Sequence, residues 1–370
     1  MLARASTRVD ARASSGGRRA SRAATRAGVE RAGVASSAES AEVEARRRRQ
    51  RAHRKRNRER NKLAVRDEVE GLVNAFLALA VDVKEEVGGG GGAARGAEDV
   101  DWTALPAEAD PLGTNKRGGD ARGLRKRNQV AAFAAHLRRL VEEDEKGVIQ
   151  TVVDFGCGTG NVVLACAAIF PELRFVGIDL NRTSVDILNR RIQDSGLTNV
   201  SARVGLIEES ETLDSADVAL ACHVCGEATD FVMNQAIERR IPFIIAPCCV
   251  GKVQEGGMRS LDRMRNDLIS LEKPTIQRPR SRLMRKAGFD FASYMSAAAL
   301  ADWSGHQGVD ASDENEPLAR LPRRAKIAIE IDRGEFARER EYEVSLHKMP
   351  AQSGIRDDVI VGVPKELRAT

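Results

Sequence analysis

The sequence predicts an α/β fold with a mostly parallel, seven-stranded sheet that ends in an antiparallel hairpin. Three observations support this prediction: short apolar runs alternate with helical patterns, a glycine-rich turn follows the first run, and an acid follows the second. Such alternation is typical of βαβ units, in which helices cover both faces of a parallel sheet. Strands are predicted at 149–155, 173–178, 199–204, 216–222, 242–247, 342–348 and 358–363, and helices at 160–170, 182–195, 227–240 and 324–340.

Charge and composition divide the 370 residues into three parts. Residues 1–66 contain 20 Lys and Arg against 6 Asp and Glu, whereas the remainder has 39 against 48. Residues 1–40 have the Ala-, Arg- and Ser-rich composition of an organellar transit peptide, which favours a chloroplast or mitochondrial location over a cytoplasmic or nuclear one. Residues 41–121 are predicted to form a basic helix and a Gly-rich linker, and residues 122–366 the folded domain.

The basic helix indicates a class of partner. Arg46–Arg60 lie ahead of an acidic body, so an RNA substrate would need this segment to offset the repulsion. A solvated helix or a nuclear targeting signal is the alternative. No apolar run approaches the length of a membrane span, so we expect no membrane partner. The six cysteines lie mostly in or beside apolar runs, and we interpret them as reduced thiols.

The strongest motif joins the first predicted strand to the first helix. Asp154 precedes glycines at 156, 158 and 160, which allow the backbone to approach a ligand and to turn into a helix N-terminus. Asp179 ends the second strand, 19 residues beyond Gly160, where a carboxylate accepts hydrogen bonds from ribose hydroxyls. The candidate cofactor-binding residues are therefore Asp154, Gly156, Gly158, Gly160 and Asp179.

Two classes of ligand use this geometry. Dinucleotide sites prefer G-x-G-x-x-G and place a pyrophosphate on the helix N-terminus. Here the spacing is G-x-G-x-G, and Asp154 suits the cationic sulfonium of S-adenosylmethionine better than a pyrophosphate. The motif thus favours a methyltransferase over a dehydrogenase. Glu208, after the third strand, is a further candidate beside the adenine, with a solvated loop acid as the alternative.

Two further strands end in Cys222–Asp230 and Ile245–Lys252, whose side chains should converge on the ligand crevice. Three interpretations stay open. In the catalytic one, His223 or the neighbouring acid Asp230 removes a proton, or Cys248 acts as a thiolate. In the second, thiols and His223 bind a metal, although the spacing is not that of a zinc finger and adjacent cysteines rarely serve one ion. In the third, the cysteines are packing residues. We favour the first interpretation and expect no metal.

These motifs resemble one branch of methyltransferases, the methyltransferase domain of the glutathione S-transferase C-terminal domain-containing protein family. The resemblance covers about residues 122–364. It rests on the glycine loop and on matching segments at Arg125–Gln129, Cys222–Asp230, Pro247–Cys249, Glu330–Arg333 and Val361–Pro364. It implies a Rossmann-like class I fold and S-adenosylmethionine as cofactor, and it implies no particular substrate.

The chain departs from this family in two places. Residues 42–87 are too short for the transferase-like domain that precedes the animal members, and residues 353–358 differ from the family pattern. A related RNA-modifying group also ends its fifth strand in Pro-Cys-Cys. We therefore expect methyl transfer to RNA, with a cofactor-binding pseudo-enzyme that acts as an RNA- or protein-binding assembly factor as the alternative.

Overall fold

The computed structural model describes residues 67–80, 99–114, 119–207, 215–253, 276–302, 317–350 and 358–368. These segments belong to one unit, Asp67–Thr370. The predicted targeting segment 1–40, the basic stretch Arg46–Arg60 and the candidate adenine contact Glu208 lie outside the described residues.

The seven-stranded sheet has the order β3-β2-β1-β4-β5-β7-β6. β1 to β5 are parallel, whereas β7 runs antiparallel to both β5 and β6. The terminal hairpin thus enters the sheet by its second strand, and the predicted fold class is confirmed. The strands are β1 Thr151–Phe155, β2 Arg174–Asp179, β3 Val200–Val204, β4 Val218–Cys222, β5 Phe243–Ala246, β6 Tyr342–Lys348 and β7 Asp358–Pro364.

Helices pack on both faces of the sheet, so its central strands are buried on both sides. Every residue of β1, β5 and β7 is buried, which explains why these strands are mostly apolar and do not alternate with polar residues. The helices are α1 67–79, α2 Pro111–Thr114, α3 Gly119–Glu143, α4 Asn161–Ile169, α5 Arg182–Ser195, α6 Glu227–Glu238, α7 Arg282–Lys286, α8 Phe291–Ala301, α9 Pro317–Arg338 and α10 Lys365–Arg368.

Two hydrophobic clusters lie on opposite faces of the sheet. Val152 contributes to a cluster with α3, α4 and α5, whereas its neighbour Val153 contributes to one with α1, α6, α8 and α9. Successive side chains of a strand point to opposite faces, so this division follows from the pleat.

The packed unit begins earlier than the sequence predicts. α1 places Val73 and Phe76 in the second cluster, and the Phe76 ring meets Phe289 edge to face at 6.3 Å between centroids. Trp102, in the predicted linker, is buried against the first cluster. Residues 67–79 and part of the predicted linker therefore belong to the folded body. None of the described helices is long and apolar enough to cross a membrane.

We expect Gly362→Ala to destabilise the sheet because a methyl group there would lie 2.2 Å from the Phe243 ring. Overpacking of this kind costs about 1–3 kcal/mol, measurable as a lower free energy of unfolding in urea titrations. Gly71→Ala, on an exposed face of α1 with no described atom within 4 Å of the new methyl group, is the control and should raise it by about 0.5–1 kcal/mol. Equal stability of Gly362→Ala and wild type would contradict this packing.

Candidate active site

The glycine turn between β1 and α4 forms one wall of the crevice. Gly158 has φ +55° and no described atom within 4 Å of where a Cβ would stand, so its backbone faces open space. Gly160 has φ +90°, and a Cβ there would lie 2.2 Å from Leu188 of α5. The first glycine thus leaves room for a ligand, and the second lets the next helix pack closely.

Asp179 is tied to this turn. Its Oδ2 accepts a hydrogen bond from the Gly158 amide at 2.8 Å, and its Oδ1 accepts one from the Asn181 amide at 2.7 Å. The carboxylate at the end of β2 is therefore held in place beside the glycine backbone. Two of its lone pairs are engaged, and a carboxylate offers about four such positions, so it retains acceptor capacity for hydroxyl groups.

Asp154 lies at the bottom of the same crevice. It is buried, and its Oδ1 receives no hydrogen bond from the residues that the structure describes. Burial, together with the negative charge of Asp179, raises the pKa of Asp154 to about 8, although the Val163 amide opposes the shift. A buried acid of this kind favours a cationic partner, because a nearby positive charge restores the ionised form.

His223 lies at the carboxyl end of β4 in a conformation that is rare for its type. Its φ is +64°, and its amide donates to the Ala246 carbonyl at the end of β5 at 3.0 Å. Its Nε2 lies 3.2 Å from Oε1 of Gln129, on α3. Burial lowers the pKa of His223, as does the charge of Lys126, whereas Cys249 opposes the shift. These surroundings favour the neutral form of the imidazole.

Three thiols gather beside His223. The sulfur of Cys248 lies 2.8 Å from that of Cys225 and 3.6 Å from that of Cys249. Hydrogen bonds with these two thiols, and burial, raise the pKa of Cys248 far above its usual value. These surroundings favour the neutral thiol of Cys248 over the thiolate. Cys222 is separate, with its pKa raised to about 12, mainly by burial.

Asp230, the third residue that we considered catalytic, is enclosed by arginines. It is fully buried and accepts hydrogen bonds from Arg278 and Arg280 at 2.8 Å and from Arg333 at 2.9 Å. Burial alone would raise the pKa of Asp230, but the three guanidinium charges lower it well below its usual range. This environment favours a structural role over proton transfer.

Several residues of the site carried no role in the sequence analysis. Lys126 and Gln129 fall within the Arg125–Gln129 segment, and the structure shows that this segment faces His223. Arg191 of α5 donates to the Thr159 carbonyl of the glycine turn and, at 2.6 Å, to that of Glu108. The family resemblance of Arg125–Gln129 was the available sequence signal for Lys126 and Gln129. No sequence signal marked Arg191.

The strand order, the glycine turn and the paired acids define a class I methyltransferase fold. Residues 125–256 match a family model described as a methyltransferase domain. The chain therefore carries a methyltransferase domain, and its cofactor is S-adenosylmethionine. The residues fit that group. Asp154 offers its positive charge a buried oxygen that no described residue hydrogen-bonds, Asp179 offers acceptors, and Gly158 leaves space.

The chain is similar to proteins named glutathione S-transferase C-terminal domain-containing protein. It is 26% identical to those of Bos taurus and Homo sapiens over 267 residues, which is 72% of this chain and 37% of each relative. It therefore spans little more than a third of their length. A solved magnesium protoporphyrin IX methyltransferase from Synechocystis, with bound SAH, is 11% identical over 65% of this chain and 86% of that chain, with a TM-score of 0.33.

We expect Asp230→Ala to lower the free energy of unfolding by about 3–5 kcal/mol, because three arginines would lose their shared counter-charge in the interior. Urea titration followed by circular dichroism measures the change. Glu143→Ala breaks the exposed pair with Arg139 and serves as the control, with an expected loss below about 1 kcal/mol. A small loss for Asp230→Ala would show that the cluster is not required for folding.

The raised pKa of Asp154 makes stability depend on pH. Between its unfolded value of 3.8 and about 8, the folded state holds a proton that the unfolded state releases, so stability falls as pH rises. Asp154→Asn removes this dependence, and its stability relative to wild type should increase by about 1–2 kcal/mol from pH 6 to pH 8. Asp194→Asn, an exposed acid on α5, is the control. An equal difference in unfolding free energy between Asp154→Asn and wild type at both pH values would contradict the raised pKa of Asp154.

Proposed function

We propose that this protein transfers a methyl group from S-adenosylmethionine to RNA. The observation that carries the choice of acceptor is a cavity of about 560 Å³ whose lining includes four arginines. These are Arg280, Arg282, Arg285 and Arg340, and Glu339 is the one acid among the described lining residues. A concave surface with excess positive charge suits a phosphate backbone.

The charges of this cavity are only partly compensated. Burial lowers the pKa of Arg340, as does the charge of the neighbouring Arg280. The Phe336 ring lies between these two guanidinium groups, which stand 3.7 Å and 3.5 Å from its centroid. Stacking of this kind holds both groups in place. The charge of Arg280 is engaged by Asp230, whereas Arg340 adds positive charge to the cavity. An anionic ligand would relieve the repulsion.

The cavity is joined to the Asp230 cluster through one side chain. Arg280 bonds Asp230 with one terminal nitrogen and Asn234, which lines the cavity, with the other. Arg333 continues the connection to the Gly226 carbonyl, next to the loop that carries His223. We therefore infer that one buried cluster supports both the arginine cavity, which would hold the RNA, and the loop that carries His223. The basic segment Arg46–Arg60 supplies further positive charge for RNA in this proposal.

When bound, the cofactor supplies an electrophilic methyl group. In this proposal Asp154 and Asp179 hold it, and the protein acts chiefly by positioning the acceptor and by excluding water. His223 takes up the acceptor's proton, because its ring stands at the crevice mouth, fixed by Gln129. Cys248 then contributes to the wall of the pocket, and Asp230 supports the loop from beneath.

Loss of Asp179 should weaken the binding of cofactor. In Asp179→Ala the acceptors for the ribose hydroxyls disappear, which costs on the order of 1.5–3 kcal/mol and raises the Kd roughly ten- to a hundredfold. Isothermal titration calorimetry with S-adenosylmethionine measures this change. Asp194→Ala removes an acid from α5, the helix that follows β2, and should bind as wild type does. Unchanged affinity in Asp179→Ala would remove this residue from the site.

Methyl-labelled cofactor tests the acceptor. The labelled cofactor is incubated with the full chain and total organellar RNA, and we expect the RNA to become labelled. Organellar RNA is the first choice because of the composition of residues 1–40. His223→Ala should abolish labelling while leaving cofactor affinity nearly intact. Parallel incubations use organellar protein and metabolite fractions. Label in either of these with none in RNA would exclude RNA as the acceptor, and cofactor binding without any transfer would favour the assembly factor.

The arginine cavity is tested by the salt dependence of RNA binding. The double variant Arg282→Ala with Arg340→Ala should flatten the plot of log affinity against log salt concentration. The slope should fall by about 1 for each phosphate group that the variant no longer neutralises. Arg139→Ala, which removes an exposed arginine of α3 outside the cavity, should leave the slope unchanged. Equal slopes for the double variant and wild type would place the RNA elsewhere.

A further inference from the structure

The thiols of Cys225, Cys248 and Cys249 form a cluster that the proposed reaction does not use. Their three sulfurs lie within 4.8 Å of one another, and each residue is only partly buried. The other three cysteines behave differently: Cys157 and Cys166 are buried in the core, and Cys222 packs against it. Close packing explains the positions of Cys157, Cys166 and Cys222. It does not explain why the other three thiols converge at an accessible strand end.

The cluster is preformed by the backbone. β4 and β5 are adjacent parallel strands, with Cys222 opposite Ala246, so the loops that follow them begin side by side. The amide of Gly226 then donates to the carbonyl of Cys249 at 2.9 Å, which joins the two loops directly. Because this bond and the Asp230 cluster fix both loops, little conformational entropy is lost when a ligand engages all three sulfurs.

The geometry answers the objection that adjacent cysteines rarely serve one ion. The chain bends after β5, and the sulfurs of Cys248 and Cys249 lie 3.6 Å apart on the same side. Two thiolates on a tetrahedral ion with Zn–S bonds of about 2.3 Å are separated by roughly 3.8 Å. The 2.8 Å between the sulfurs of Cys225 and Cys248 is longer than a disulfide bond of about 2.05 Å. It is about 1 Å shorter than the separation on an ion, so these two sulfurs move apart when the ion binds.

We propose that Cys225, Cys248 and Cys249 bind one Zn²⁺ ion as thiolates. Soft sulfur ligands select zinc among the common divalent ions, and three protein ligands leave a fourth position open. When the ion binds, the three thiols release three protons to solvent. The three thiolates then share the double positive charge of the ion. The open position, at the carboxyl ends of β4 and β5, takes water or a soft atom of a ligand in the crevice. Such a site differs from the sequence-based expectation of no metal.

The test counts metal ions in the full chain. Protein reduced with a phosphine, incubated with excess Zn²⁺ and dialysed should retain about one ion per chain by plasma mass spectrometry. Cys248→Ser and Cys225→Ser, which alter different loops, should each lose most of the bound zinc. Cys222→Ala removes a thiol from the same strand end but outside the cluster, and should keep it. Circular dichroism verifies that each variant is folded.

Cobalt substitution gives an independent readout. Wild type loaded with Co²⁺ should show thiolate-to-metal charge transfer and the visible bands of a tetrahedral ion, and both serine variants should lose them. Zinc near zero in reduced wild type, or retained in folded Cys248→Ser, would overturn the proposal. So would a quantitative Cys225–Cys248 disulfide in peptide maps of protein kept reduced. None of these results depends on methyl transfer or on RNA.

Discussion

The buried carboxylate of Asp230 is the interaction on which the architecture around the crevice depends. Three arginines from two distant parts of the chain converge on it: Arg278 and Arg280 precede α7, and Arg333 belongs to α9. Each of these charges would be costly to bury alone. Because all three arginines bond the same carboxylate, α6, α9 and the segment before α7 are held together at this point. Arg333 also bonds the carbonyl of Gly226, so the cluster fixes the loop that carries Cys225.

The motif Glu330–Arg333 on α9 acquires a physical meaning from this cluster. Glu330 pairs with Lys326, which also meets Asp358 at the start of β7. Asp332 accepts hydrogen bonds from the amides of Arg280 and Ser281 at 2.9 and 2.8 Å. One short stretch of helix therefore anchors the terminal strand, the segment before α7 and the start of α6. Its contacts within this chain serve the assembly of the fold.

The sequence predicted the sheet and the glycine turn well because both depend on local signals. Continuous apolar runs mark strands that are buried on both faces, and the position of Asp179 follows from the length of one βα unit. The role of Asp230 was not predictable in the same way, because its partners lie 48, 50 and 103 residues away. The same holds for Gln129, which reaches His223 across 94 residues. Long-range polar pairing leaves no periodicity in a single sequence.

The left-handed backbone conformation of His223 has a consequence for how this position evolves. A residue other than glycine at φ +64° carries a conformational cost of order 1–3 kcal/mol. Glycine or asparagine would occupy that position with less strain, so under the proposed function the imidazole is kept at a conformational cost. In lineages that have abandoned the chemistry but kept the fold, drift should replace this histidine early, while the residues around Asp230 remain. A lineage in which the histidine is replaced while the residues around Asp230 are kept would then be one that has lost the proposed activity but not the fold.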